Sequence, residues 1–482
     1  MDSGRYKIRK KLRIFFILLL VLPIILNLDN LKVLVCFTVD LARQVFFGQK
    51  LFVIGVMSAR ENFEERQSIR NTWMKLVSPN AGEVKFLIGS HSCNVPKNDR
   101  VSPYSCHRWS PQLPSSVNSN TILSLTEQTS SRHRICVGFT FMVRHTMSLE
   151  MLGISSSLRR VRKERMYRVE LHDSQRGEKV VSATFIISGS DSPSGFTWKK
   201  VPKIVFNEGF EGEIKIISDD DYTNLNCTHK FLTNGIVTIF EVVDTKGFFY
   251  KFEPPNCPIA SFLYQIMDVD KLQNHINETS VRQILWDEEV GRIENSLKEE
   301  KNKYSDLLII DTIDVYTNLP IKLSNFMQWA TTGDKFKYII KTDDDVFLDI
   351  KKIQLQFSRL SDWDWWSCFK VGWPPPNSGK WRDRLTDESV YPKFPSGSGY
   401  VLKNSIAKKV LNKPPMNVGE DVSMGFWILE QSPLDLIESQ CFWACSSKCN
   451  KNPCNMPELK VDEMYTVWKD YNKCGEICNC SP

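Results

Sequence analysis

Asp343-Asp344-Asp345 stand between two apolar runs, Tyr338-Ile339-Ile340 and Val346-Phe347-Leu348. Adjacent carboxylates at the end of a buried strand repel one another and resist desolvation by roughly several kcal/mol, so packing gives no reason for them. A hard divalent cation would offset that repulsion, and a solvated acidic turn is the alternative. A second acidic pair, Glu420-Asp421, precedes Val422-Ser423-Met424-Gly425-Phe426-Trp427-Ile428. Those two carboxylates either cap a helix N-terminus or supply a general base. Between the two acidic motifs, Tyr391 to Tyr400 combines turn residues with Gly397 and Gly399, which let a backbone approach a ligand closely. Five tryptophans (Trp363, Trp365, Trp366, Trp373 and Trp381) fall within 19 residues, as a core cluster or as a platform for sugar rings.

The elements that must position these groups follow from hydrophobic patterning. Leu51 to Met57 is a continuous apolar run of strand length, Glu61 to Leu76 has the composition of a helix laid on a sheet, and Val84 to Gly89 predicts a second strand. This is a βαβ opening of the kind that builds parallel sheets with ligand sites at strand ends. From about 93 to 279 the pattern changes to short β-rich runs: Gly138 to Val143, Tyr167 to Leu171, Val180 to Ile187, Gly212 to Ile217, Ile236 to Val243 and Gly247 to Phe252. They predict a sandwich or barrel, with Ser110 to Ser119 as a linker. Helical signal returns over Ser280 to Lys303, then Asp306 to Asp311 predicts a strand and Pro320 to Thr331 a helix before the triple aspartate. The expected organisation is an α/β domain in two parts, 47–92 and 280–482, interrupted by an inserted β-rich domain over 93–279.

Net charge is +6 over 482 residues, and the first 13 residues carry most of it, so the body is near neutral and nucleic acid is not an expected partner. The basic tail 1–13 abuts an uncharged stretch over 14–28, which predicts an uncleaved membrane anchor with a short cytosolic tail and a lumenal body, with a cleaved signal peptide as the alternative. Of the 14 cysteines, Cys441, Cys445, Cys449, Cys454, Cys474, Cys478 and Cys480 crowd the C-terminal tail. Such density suits disulfides in an oxidising lumen, with zinc as the alternative. Asn226-Cys227-Thr228 and Asn277-Glu278-Thr279 are N-glycosylation sequons.

Six segments in order resemble the inverting β-1,3-glycosyltransferases of glycosyltransferase family 31: Arg66-Gln67-Ser68-Ile69-Arg70-Asn71-Thr72-Trp73, Phe86 to Gly89, Asp314 to Leu319, Lys341 to Asp345, Tyr391 to Tyr400 and Glu420 to Gly425. The resemblance implies a GT-A, Rossmann-like fold, a UDP-sugar donor and Mn²⁺. It implies metal ligation by Asp345 and Asp343, donor binding by Ser58, Ala59, Arg60, Arg70, Asp343 and Asp344, and catalysis by Asp421 with Glu420 as the other possible base. Trp365, Trp366, Gly397, Gly399 and Tyr400 would then line the acceptor and sugar pocket. The insertion and the tail resemble those of one branch of this family, and that resemblance implies transfer of GalNAc from UDP-GalNAc to the 3-hydroxyl of a GlcNAc-terminated, O-mannosyl type glycan on glycoproteins. The setting would be the endoplasmic reticulum or Golgi membrane. Galactosyl or N-acetylglucosaminyl transfer, or a non-catalytic membrane-anchored glycan-binding protein, are the alternatives. Several family members complete the metal shell with a histidine after the second acidic motif; no histidine follows His275 here.

Overall fold

The computed structural model describes residues 49–478 apart from 132, 161–164, 188–194, 219–226, 254–255, 360–362, 384–388, 415–418, 432 and 439–452. The expected membrane segment 14–28 and the sequon residue Asn226 lie outside the described residues, among which no helix is long and apolar enough to cross a membrane.

A seven-stranded sheet carries the acidic motifs. Its strands are β1 (Lys50–Met57), β2 (Gly82–His91), β3 (Leu307–Ile313), β4 (Phe336–Asp343), β5 (Trp365–Ser367), β6 (Gly399–Lys403) and β7 (Leu436–Glu438), in the order β3-β2-β1-β4-β6-β5-β7. The first four pair in parallel, and β6 runs antiparallel to β4. The apolar runs of β1 and β4 suit strands covered on both faces, and both are almost wholly buried. The helices that matter here are α1 (Phe63–Asn71), α2 (Thr279–Lys303), α3 (Leu319–Thr331), α4 (Glu420–Leu429) and α5 (Val461–Cys474). Packing is tight where α3 crosses β1: a Cβ on Gly55 would lie 2.4 Å from the Phe326 ring.

The helix expected over Glu61 to Leu76 is broken at Thr72, where α1 gives way to a 3₁₀ turn over Trp73–Leu76. The Thr72 hydroxyl donates to the Ser68 carbonyl at 2.7 Å, a back-bond that bends helices. The break aims Trp73 inward, so that its indole N–H meets the Val346 carbonyl at 3.0 Å and fixes the turn just after the triple aspartate.

Residues 122–266 form two further antiparallel sheets of four and six strands that share one apolar core, including Phe139, Phe141, Leu152, Val169, Leu171, Ile214 and Phe262. Among the described residues the two sheets contain four strands beyond those the sequence predicts: Ile122–Ser124, Met147–Ser155, Phe196–Phe206 and Ala260–Ile266. Phe196–Phe206 was masked by its Lys and Pro content; it is an edge strand with a register irregularity between Lys200 and Ile204, where Pro202 needs no ladder partner.

Disulfides join Cys93 to Cys106 and Cys227 to Cys257, and Cys368, Cys474 and Cys478 are also disulfide-bonded. His229 lies close to the Cys227–Cys257 bridge, but sulfurs bonded to each other are not thiolate ligands. The C-terminal tail is less irregular than its cysteine content predicts. It includes α5, whose Met464, Val467 and Tyr471 pack into the core below the triple aspartate.

Candidate active site

Strand register assembles the site. Met57 at the end of β1 pairs with Asp343 at the end of β4, and Thr342 pairs with Gly399 of β6. The loop after β1, the triple aspartate and the Gly397–Gly399 turn therefore meet at one sheet edge, at the carboxyl ends of the parallel strands.

Lys341, which sequence reasoning noted only as part of a motif, is the hub. It is fully buried, and its ammonium lies 2.8 Å from Asp343 Oδ1 and 2.7 Å from Glu420 Oε1, and donates to the Gly397 carbonyl at 2.5 Å. Burial alone would lower the pKa of this ammonium, but the charges of Asp343 and Glu420 hold it well above the ordinary lysine value. Glu420 answers in kind: burial would raise its pKa, and the Lys341 charge and hydrogen bond pull it below the ordinary value. It is an ionised anchor, committed to Lys341.

Asp421, one residue on, has no such partner. Burial and the neighbouring Glu420 charge push its carboxyl up to about 6. Its Oδ1 accepts the Val422 N–H at 2.8 Å in the first turn of α4. Two glycines make room for it: a Cβ on Gly419 would lie 2.8 Å from Oδ1, and one on Gly397 3.4 Å from Oδ2. Of the two expected bases, Asp421 is the one poised to exchange a proton near neutral pH.

Across the cleft the triplet is short of positive charge. Burial outweighs the attraction of Lys341 and pushes Asp343 up to about 7, with Glu420 and Asp345 repelling it further, although a third of its side chain stays accessible. Burial raises Asp344 to about 6 even though Asn62 Nδ2 donates to it at 2.9 Å. Asp345 is raised as well, by burial and then by Glu458. The C-terminal tail brings Glu458 there, because the Leu459 N–H donates to the Asp345 carbonyl at 2.9 Å. Half-buried carboxylates that resist ionisation are a fitting donor set for a hard cation. Among the described residues, however, three acidic oxygens of this triplet do not converge as a ready-made cage.

The loop after β1 is locked from below. Arg66, fully buried, donates to Ser58 Oγ at 3.0 Å and the Ala59 carbonyl at 2.6 Å while paired with Glu300 at 2.8 Å. Lys322 donates to the Ser58 carbonyl at 2.8 Å and to Asp314 at 2.9 Å, and Asp314 also accepts the Gly89 N–H. Ser58 and Ala59 thus face the cleft on a clamped backbone.

Five expected site residues are committed elsewhere or buried: Arg70, Arg60, Trp365, Trp366 and Tyr400. Arg70 does not reach the cleft: it pairs with Asp306 at 2.8 Å and Glu300 at 2.7 Å, with its guanidinium over the Phe86 and Tyr304 rings, so it ties α1 to α2 and β3. Arg60 is likewise committed, to the Gly89 carbonyl, Ser92 and Glu294. Trp365 and Trp366 are 1% and 0% exposed. They pack in the core, Trp365 edge-on to Phe369 and Trp366 edge-on to Trp363, and offer no face to a sugar. Tyr400 is also fully buried, beneath the acidic groups, and the nearby carboxylates add to burial in holding its hydroxyl protonated. Of the five clustered tryptophans, the exposed ones are Trp373 and Trp381, at 51% and 65%. Asn277 is exposed at the end of the helix Val269–Asn277, where a glycan is sterically allowed.

Residues 286–432 match the family model described as Galactosyltransferase. UDP-GalNAc:β-1,3-N-acetylgalactosaminyltransferase 2 of Homo sapiens is 30% identical over 450 residues, covering 89% of each chain. The protein of the same name from Xenopus laevis is 31% identical over 450 residues, 89% of this chain and 91% of its own. β-1,3-Galactosyltransferase 1 of Mus musculus is 27% identical over 191 residues, 36% of this chain and 58% of its own.

Proposed function

The chain belongs to the β-1,3-glycosyltransferases of glycosyltransferase family 31, and from that premise we propose that it is a GT-A type, inverting enzyme that moves GalNAc from UDP-GalNAc to the 3-hydroxyl of a GlcNAc-terminated, O-mannosyl type glycan. The observation that carries this reading is the division of labour among the carboxylates: Glu420 is spent on Lys341, and Asp421 is left unpaired with its carboxyl raised to about 6. Asp421 takes the proton of the acceptor hydroxyl, whose oxygen attacks the anomeric carbon as the bond to UDP breaks on the opposite face. One displacement inverts the configuration.

Ser58, Ala59 and Asn62, on the loop clamped by Arg66 and Lys322, and Asp343 and Asp344 line the donor side. Asp345 and Asp343 would hold Mn²⁺, and Glu458, whose charge acts on Asp345, could stand in place of the family's histidine. When bound, the cation supplies charge that screens the diphosphate and the departing UDP. Within the chain, Lys341 keeps Asp343 and Glu420 at fixed distance, so the donor and acceptor sides share one rigid support.

The disulfides and the exposed Asn277 sequon support a lumenal location, in the endoplasmic reticulum or Golgi, with residues 14–28 as the anchor. The test incubates the full-length chain with UDP-GalNAc, UDP-Gal or UDP-GlcNAc, Mn²⁺ and a β-GlcNAc glycoside, and reads UDP release and product linkage. A β-1,3-linked GalNAc product is expected. Preference for another donor overturns the sugar assignment, and the absence of any transfer overturns the enzymatic reading.

A further inference from the structure

The exposed Trp373 and Trp381 belong to one segment, 372–383, that lies between the acidic centre and the inserted β-sandwich. On its inner side, Lys380 Nζ sits 4.3 Å from the centre of the Tyr316 ring, and the Trp381 side chain lies close enough to the Tyr316 hydroxyl to act on it. That hydroxyl is 3.8 Å from the place a Cβ on Gly419 would take, immediately before Glu420 and Asp421. The segment therefore borders the cleft beside Gly419, two residues before Asp421.

Its outer side is fastened to the six-stranded sheet of the insertion. The Gly379 N–H donates to the Glu211 carboxylate at 3.2 Å, the Arg382 guanidinium donates to Glu211, and its other nitrogen lies 3.5 Å from Glu241. The same guanidinium lies 4.0 Å over the Phe240 ring. The next residue, Asp383, accepts from the Tyr391 hydroxyl at 3.0 Å, and Tyr391 packs with Val422, the neighbour of Asp421 on α4. One short segment is thus tied at one point to the insertion and at another to the helix that bears the base.

We propose that Trp373 and Trp381 form the acceptor-sugar subsite, taking the apolar face of a neutral pyranose, and that the inserted sandwich positions this subsite through Arg382, Glu211 and Glu241. Exposed indoles beside a carboxylate and a lysine are the chemistry that binds a ring with one apolar face and a rim of hydroxyls. Arg382 touches no substrate; it is a positioning residue, largely buried between two carboxylates and an aromatic ring, so its loss frees the segment. The inference rests on the transfer reaction proposed above for the identity of the sugar, and its test separates the two.

Methyl β-N-acetylglucosaminide is titrated into the full-length chain and followed by ligand-observed NMR, and acceptor KM, kcat and UDP affinity are measured with UDP-GalNAc and p-nitrophenyl β-N-acetylglucosaminide. Trp373→Ala and Trp381→Ala should each weaken saccharide binding and raise acceptor KM by about tenfold, in line with loss of one aromatic contact worth about 1 kcal/mol or more. Arg382→Met should raise acceptor KM in the same direction, and the swap Arg382→Glu with Glu211→Arg should recover part of the loss. Unchanged saccharide binding and acceptor KM in both tryptophan variants would overturn the subsite; an Arg382→Met effect confined to UDP affinity would overturn the positioning role. Saccharide binding that depends on the two tryptophans in a chain that transfers no sugar would support the subsite and overturn only the reaction.

Discussion

Lys341 Nζ and Glu420 Oε1 are 2.7 Å apart, joining β4, two residues before its end, to the first residue of α4. The contact makes one electrostatic unit of two acidic motifs that are far apart in the chain. Each additional neighbour follows from it: Asp343 sits on the other side of the ammonium, the Gly397 carbonyl takes its third hydrogen, and Asp421 is left to respond to Glu420 without a cation of its own.

Lys341→Met should therefore be among the most destabilising single changes in the sheet. It strands two carboxylates without their shared counter-ion, a defect that costs about 3–5 kcal/mol when a buried pair is broken. Urea denaturation should show a lowered midpoint at pH 7.5, partly restored by adding Asp343→Asn. A midpoint equal to that of the unmodified chain would show that the ammonium does not organise the site.

Asp421→Asn should cut turnover by about 10²-fold or more while leaving UDP affinity nearly unchanged, because the amide keeps its place in the first turn of α4 but accepts no proton. In the unmodified chain kcat/KM should rise with pH through about 6, the value to which burial and Glu420 push this carboxyl. Glu420→Gln should act differently, lowering stability first because it removes a partner of Lys341. Equal turnover in Asp421→Asn and the unmodified chain would remove Asp421 from the reaction.

Removal of divalent cations should make the protein's stability depend on pH in a direction opposite to ordinary acid denaturation. Asp343 and Asp344 have folded pKa values of about 7 and about 6, above the unfolded value of about 4, so between these limits the folded state binds more protons than the unfolded one. Their contribution is favourable at low pH and is lost as pH rises through 6 to 7. His229 and His275, both lowered by burial, work the other way, so the comparison that isolates the triplet is with Asp343→Asn. In EDTA, Asp343→Asn should gain on the unmodified chain as pH rises from 5 to 8. Added Mn²⁺ should stabilise the unmodified chain more at pH 7.5 than at pH 5.5, and Asp345→Asn should shrink that gain. Stabilisation by Mn²⁺ that is unaffected in Asp345→Asn would place the cation elsewhere.

Gly55→Ala and Gly419→Ala separate fold from site. A methyl on Gly55 meets the Phe326 ring at 2.4 Å, and overpacking of that kind costs about 1–3 kcal/mol, read as a lower denaturation midpoint. A methyl on Gly419 meets Asp421 Oδ1 at 2.8 Å, so its effect should be on kcat, with the midpoint nearly unchanged. The reverse pattern would contradict the packing described for both positions.

The sequence by itself determined what depends on near neighbours. The continuous apolar runs that become β1, β2 and β4, the β-rich character of the insertion, and the order of the family's motifs all rest on local periodicity and on residues adjacent in the chain. The same local logic placed the triple aspartate at a strand end and the Glu420-Asp421 pair at a helix start. Tertiary structure decided which charge meets which. Nothing near Arg70 in the sequence announces Glu300 and Asp306, and nothing near Lys341 announces Glu420. The tryptophans make the point with one residue type: Trp365 and Trp366 face the core because β5 lies within the sheet, whereas Trp373 and Trp381 sit on a segment held outside it by Arg382. Burial and ion pairing are set by strand register and by contacts between distant segments, and local propensity carries no record of either.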